Sequence, residues 1–444
     1  MKDSSWSTFE DYTEQLLYEE HIAGAAVAVS RGGQMVYANG FGVRDEATQR
    51  PVTPETVFGI ASVSKSFTAL VISQLADEGL LSVDDPVVEY LPEFRLRGAE
   101  DMSQIEISHL LSHTTGLPPM KRRQDIEWFD EHIKYLAEAG YRLLGRPGEY
   151  FSYSNDAFLL LGAIIERLTG HLYRRAMTGR ILNRLGMHRS TYSLEEVRKL
   201  SNVSVPYLYD RKKGQWEEAP WPDLGTYEVG GGVRSNVVDL MKYAEVYVGA
   251  GRLGGEQIVS AGGIRRMREP VHRVGRGAHY GFALRITPGY EGVTLVEHGG
   301  GQPGVSSNFG FVPEKGIAAV VLTNVTGVPA ENIWLAAVNT ALDLPLDRQR
   351  SEEPHYDATQ EELERYIGVY RSQEGGCLRI FTEDGTVKAE ANGEVHPVRA
   401  SDERTLVLVG MKRRNVIQFF LDDKGEPWAA LAGSRMLRRV PRVI

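Results

Sequence analysis

Hydrophobic positions in the first 345 residues follow two spacings, and the switches between them lay out the elements. A helical repeat around residues 9–18 precedes two apolar runs, 25–31 and 34–38, which Gly32-Gly33 joins as a hairpin. Residues 62–81 return to helical spacing, with Phe67, Leu70, Val71 and Leu75 on one side. A long, mostly helical middle follows, broken by Pro86, Pro92, Pro118, Pro119 and Pro147. Strand spacing reappears over 294–297, 307–312 and 317–323, and a helix over 330–342 closes the region. Strands at both ends with helices between predict an α+β fold. Its sheet is assembled from distant segments and carries an inserted helical subdomain.

The pattern breaks between Pro345 and Pro354, where Asp347-Arg348-Gln349-Arg350-Ser351-Glu352-Glu353 reads as a linker. After a short helix near 360–364 come eight short strand candidates, beginning near Tyr366, Leu378, Thr386, Val395, Thr405, Val416, Trp428 and Met436. Asp384-Gly385, Asn392-Gly393 and Lys424-Gly425 mark turns between them. Eight strands in a meander predict a small up-and-down barrel. The expected organisation is a first domain over 1–345, a linker over 346–356 and a barrel over 357–444.

Composition narrows the classes. With 444 residues, 42% hydrophobic and 25% charged, the chain can bury a sizeable core. Its one cysteine, Cys377, excludes an internal disulfide and cysteine-based zinc clusters. The net charge of −9 argues against nucleic acid or anionic lipid as partner. From His355 onward 14 basic residues balance 14 acidic ones, so the whole excess lies upstream. Met1-Lys2-Asp3-Ser4-Ser5-Trp6 has no apolar h-region, and runs such as 158–165 are far too short to cross a membrane. A cytoplasmic protein without a membrane partner is expected.

Four segments compete as sites. His109 and His113 have the spacing of two metal ligands on one helix face, but no glutamate follows His109 and no third ligand is evident. Gly299-Gly300-Gly301-Gln302-Pro303-Gly304 fits G-x-G-x-x-G, yet a strand follows where a dinucleotide site needs a helix. The clusters Lys121-Arg122-Arg123 and Lys412-Arg413-Arg414 lack interleaved aromatics and read as solvated surface. No G-x-S-x-G elbow is present. The fourth segment, Ser62-Val63-Ser64-Lys65, opens an apolar helix, so Lys65 can point back at the Ser62 hydroxyl one turn away. An amine beside a hydroxyl at a helix N-terminus is a recognised way to activate a nucleophile. Taken alone, the same string also reads as an N-cap serine followed by a solvated lysine.

Tyr153-Ser154-Asn155 ahead of an apolar helix, and Glu297-His298-Gly299-Gly300-Gly301 at the end of a strand, add to it. With these the chain resembles the serine β-lactamase and penicillin-binding protein superfamily. The similar branch holds class C β-lactamases, D-alanyl-D-alanine carboxypeptidases, D-aminopeptidases and related esterases. Residues 80–87, 107–118, 185–187 and 230–235 carry accessory strings of that branch, and the likeness runs over about 10–345. It implies that Ser62 is the acylated nucleophile, Lys65 its base partner and Tyr153 a proton shuttle. The shuttle would take the Ser62 proton and later activate water. Asn155 would bond the substrate amide, Gly299 and Gly300 would line the substrate, and the backbone N–H groups of Ser62 and Gly301 would form the oxyanion hole. His109 and His113 fall in a structural turn, and neither a metal nor a cofactor is implied.

The departure lies in the third motif. Lactamases of the branch carry Lys-Thr-Gly where this chain has His298-Gly299-Gly300. His298 is expected to bond Tyr153 or a substrate carboxylate, and it need not be charged at neutral pH. The pattern is similar to D-amino-acid-specific peptidases and amidases, a group in which a lipocalin-like barrel follows the catalytic domain. The resemblance therefore implies hydrolysis of short peptides with D-residues at the scissile bond. An esterase, a peptide ligase or cyclase, and a sensor that acylates without turnover remain alternatives with the same residues. The expected partner is a small peptide or ester, and a homo-oligomer is allowed.

Overall fold

The computed structural model describes residues 4–391, 393–410 and 416–441. The turn residue Asn392, the cluster Lys412-Arg413-Arg414 and the first three residues lie outside the described residues. A nine-stranded antiparallel sheet forms the first part, with Val293–Gln302, Val305–Val312, Ile317–Thr323, Gly24–Arg31 and Gln34–Asp45 adjacent in that order. The hairpin read across Gly32-Gly33 is present, both glycines at positive φ. Val305–Val312 and Ile317–Thr323 are buried at every position because both faces are covered. Ala26, Ala28, Val320 and Leu322 face one core with Phe67, Leu70 and Leu75 of the helix Ser64–Asp77. Ala25, Val27, Val29 and Val321 face the other, with Phe9 of Ser4–Glu19 and Trp334 of Ala330–Ala341.

Two features escape the sequence pattern. Three short strands, His272–Gly275, Ala278–Tyr280 and Arg285–Tyr290, extend the sheet at the end that walls the site. They are too short and too interrupted by glycine and proline to show an alternation. The helical middle also contains a small hairpin, Tyr207–Asp210 with Gln215–Glu218. Among the described residues no helix is long and apolar enough to cross a membrane.

All eight expected barrel strands form, from Gly368–Arg371 to Arg435–Arg439, and the first and last pair through Tyr370 and Arg439 to close it. Tyr370, Leu378, Ile380, Phe419 and Leu437 fill the interior, with Tyr366 stacked on Phe419 at 4.1 Å. The outside of the barrel packs on the first part of the chain. Ala429, Leu431 and Met436 share one buried cluster with Leu144, Phe151, Tyr153 and Tyr280.

Arg350 of the connecting segment pins that segment to the strand carrying His298. Its guanidinium donates to both oxygens of Glu297 at 2.8 and 2.7 Å, and Asn308 Nδ2 donates to the same carboxylate at 2.9 Å. Burial pushes the Glu297 carboxyl up, but Arg350 and then Arg285 outweigh it and hold it below the usual range. Arg350→Met should cost ~3 kcal/mol, because it takes the two-pronged partner from a buried carboxylate and leaves it only Asn308 and the more distant Arg285 charge. Adding Glu297→Gln should recover at least half of that loss. Urea midpoints of the four proteins test this, and equal losses in the single and double variants would refute the pin.

Candidate active site

Ser62 sits in a 3-10 turn, Ala61–Val63, that runs straight into the helix Ser64–Asp77. Ala61 holds φ at +47°, a left-handed conformation that costs a residue with a Cβ about 1 kcal/mol. The turn is fastened to the sheet by Ser307, whose hydroxyl donates to the Ile60 carbonyl at 2.8 Å. Gly300 makes this approach feasible, since a Cβ there would lie 2.3 Å from Ser307 Oγ and 2.4 Å from Ile60 O. Gly301 has nothing within 4 Å of its Cβ position and borders open space shared with Ser62.

Lys65 is 1% exposed. Its Nζ stands 2.9 Å from Asn155 Oδ1, 3.1 Å from the Gly230 carbonyl and 3.4 Å from Ser62 Oγ. Gly230 must be glycine, because a Cβ would sit 2.6 Å from Nζ. Burial, then Arg122 and Arg435, hold the amine well below the 10.5 of a free lysine. An uncharged amine has two N–H donors and one lone pair. Two of its three neighbours are carbonyl oxygens that can only accept, so in the uncharged form the lone pair is left for the Ser62 O–H.

Tyr153 lies in an extended stretch held from two sides. The N–H groups of Ser152 and Ser154 donate to His113 O at 3.0 Å and His113 Nδ1 at 3.2 Å, while that of Tyr153 donates to Ser434 O of the barrel at 2.9 Å. His113 also stacks on the Tyr153 ring at 4.1 Å, so it belongs to the site rather than to a remote turn. His109 instead accepts from the Glu106 N–H, so the two histidines hold different segments. The Tyr153 Oη is buried without a hydrogen-bond partner. Burial raises its pKa to about 12, against the downward pull of Arg435 and the neighbouring Ser62 hydroxyl.

Two side chains make contacts that were not expected. His298 does not bond Tyr153; their rings are 6.1 Å apart. Its Nδ1 lies 2.6 Å from the Gly299 carbonyl, which can only accept, so Nδ1 carries the proton and Nε2 accepts from the Tyr280 hydroxyl at 2.9 Å. Burial, then Lys65, lower it to about 3, so the ring is neutral and both nitrogens are engaged within the protein. The Asn155 amide is likewise occupied: Oδ1 faces Lys65 and Nδ2 donates to Glu374 Oε1 of the barrel at 3.2 Å.

The barrel supplies further groups that local motifs do not reveal. Arg435 lies 4.5 Å over the Tyr153 ring, and Glu374 pairs with Arg435 at 3.1 Å and with Arg122 at 3.2 Å. A cavity of about 450 Å³ is lined by Ser62, Tyr153, Gly301, Arg122, Arg285 and Arg435, and adjoins a cleft of about 1060 Å³ between sheet and barrel. The loss of lysine from the third motif therefore does not leave the cavity without fixed cations. Arg285 borders both spaces, and the Glu297 and Glu331 carboxylates offset part of the burial that lowers its pKa.

Comparison with known proteins follows this geometry. Residues 9–341 match the Beta-lactamase family model. Penicillin-binding protein 4* of Bacillus subtilis is 26% identical over 406 residues, covering 86% of each chain. The octameric penicillin-binding protein homologue from Pyrococcus abyssi is 29% identical, with a TM-score of 0.73 over 97% of this chain and 99% of that one. SurE, at 21% identity, shares the fold with a TM-score of 0.77 over 98% of this chain and 99% of that one. A serine beside a buried lysine, a shielded tyrosine and a family match over three quarters of the chain lead to one placement: this chain belongs to the β-lactamase family, whose members are serine hydrolases.

Proposed function

We propose that the chain cleaves amide bonds of short peptides through an acyl-enzyme on Ser62. The observation that carries the peptide reading is an open strand edge. Beyond the pair Arg285–Glu297, residues 298–302 are bonded to the next strand on one side only. An extended peptide backbone can add to such an edge, whereas a simple ester offers it nothing. A peptide lying antiparallel to that strand ends at Arg285, whose guanidinium borders the cavity and suits its terminal carboxylate. The preference for D-residues rests on the likeness of His298-Gly299-Gly300 to D-specific peptidases and on relatives named for penicillin binding.

In this reading Lys65 accepts the Ser62 proton as Oγ attacks the carbonyl carbon. The oxyanion forms against the Ser62 and Gly301 N–H groups. Tyr153, still protonated at neutral pH, gives its proton to the leaving nitrogen as the C–N bond breaks, and the Lys65 ammonium restores it. The opposed pKa shifts of Lys65 and Tyr153 support this division, which reverses the expected first step: the amine, not the phenol, takes the serine proton. Water then attacks the ester by the same route backwards. A cytoplasmic location and a homo-oligomer like that of the Pyrococcus abyssi homologue complete the proposal.

Ser62→Ala should abolish turnover and fluorophosphonate labelling while preserving the thermal melt; label retained at full stoichiometry would refute the nucleophile. The pH profile of kcat/KM should show an acid limb well below 10.5, where Lys65 loses its proton, and no alkaline limb until Tyr153 ionises at about 12. A limb near pH 6.5 that vanishes in His298→Gln would contradict the neutral histidine. Substrate class is read by comparing N-acyl D-alanyl-D-alanine, its L-isomer, its C-terminal amide and p-nitrophenyl acetate. The D-acid should lead in kcat/KM by tenfold or more, and Arg285→Met should remove its advantage over the amide. An ester preferred tenfold would favour the esterase alternative.

A further inference from the structure

We infer that Glu374, a barrel residue, is a positioning residue of the catalytic centre, because it fixes the Asn155 amide so that Lys65 keeps its lone pair for Ser62. This rests on the serine hydrolase reading above.

A side-chain amide has a donor end and an acceptor end, and its neighbours decide which way it faces. Asn155 stands between Lys65 Nζ at 2.9 Å and Glu374 Oε1 at 3.2 Å. Arg435 and Arg122 outweigh burial and hold the Glu374 carboxyl below the usual range, so it is ionised and can only accept. The Asn155 NH2 must therefore face Glu374, which turns Oδ1 toward Lys65. With the Gly230 carbonyl as second acceptor, both amine hydrogens are committed and the lone pair points to Ser62. Without Glu374 nothing in this arrangement forbids the opposite amide orientation. Nδ2 would then donate to Lys65, and the base would be blocked by its own neighbour.

Glu374 has a second effect at the same place. The charged groups facing Lys65 are Arg122 from the loop before residue 129, Arg435 from the last barrel strand, Asp156 from the helix Asn155–Thr169, and Glu374. Tyr153, His113 and His298 also surround it but are uncharged at neutral pH. Removing Glu374 takes away an anion that supports the protonated amine and leaves two cations that oppose it. The lysine is driven further down and the acid limb moves to lower pH.

The test measures the second-order rate of Ser62 labelling by a fluorophosphonate from pH 4 to 10 in the full-length wild type, Glu374→Ala and Glu374→Gln. Glu374→Ala should react roughly tenfold to a hundredfold more slowly, as expected for a misaligned base. Its acid limb should lie at lower pH. Glu374→Gln keeps an oxygen that can accept from Asn155, so it should regain most of the rate while showing the same displaced limb. Labelling of Glu374→Ala at the wild-type rate would overturn the inference. So would an unmoved limb in Glu374→Gln, which also decides the matter should Glu374→Ala fail to fold. Ser62→Ala run alongside separates the two levels: if it labels like the wild type, the hydrolase reading itself fails.

Discussion

An amine buried away from water is the constraint around which this molecule is arranged. Lysine ionises readily in water, and it is exclusion of solvent from every side that pulls the Lys65 pKa down. Phe158 and the Tyr153 ring cover it at 5.6 and 4.9 Å, Gly230 yields the space a side chain would take, and two carbonyl oxygens consume its hydrogens. Each requirement draws a different element of the fold to one point. The helix that follows the nucleophile turn, the helix that begins at Asn155 and the glycine-rich turn around 230 all converge because the amine must be enclosed.

Enclosure is completed from the far end of the chain. The barrel contributes a carboxylate, a guanidinium and one backbone carbonyl to the surroundings of Lys65 and Tyr153. Its packed interior leaves the outer surface as the working part, and the cluster joining Met436 and Leu431 to Phe151 and Tyr280 buries that surface against the sheet. Docking and active-site construction are thus one event. The Arg350–Glu297 pin works in the same direction, tying the connecting segment to the strand that presents the glycines.

How much of this was legible depended on whether a feature is local. Ser62 and Lys65 are a turn apart, Tyr153 and Asn155 two residues apart, and the eight barrel strands carry their own turn signals, so each leaves a mark in a short window. Glu374, Arg435, Tyr280 and Arg285 leave none. Glu374 is 219 positions from Asn155, and an acidic residue in a barrel loop looks like any other until the barrel is placed. His298 was found but its partner Tyr280 was not, because that tyrosine belongs to a three-residue strand whose pattern is too short to register. His113 was set aside as a turn residue for the same kind of reason: its work is done through a backbone carbonyl and a ring nitrogen that close on a segment read separately.

The alternation of partners along residues 152–154 has a consequence in time. A growing chain carries Ser62, Lys65 and His113 long before it carries Ser434, so the middle bond of that stretch waits for the last hairpin to be made. Until then Tyr153 is held by His113 alone and its ring lacks the covering guanidinium. The last hairpin to leave the ribosome is thus the one that supplies both the backbone acceptor of Tyr153 and the guanidinium over its ring.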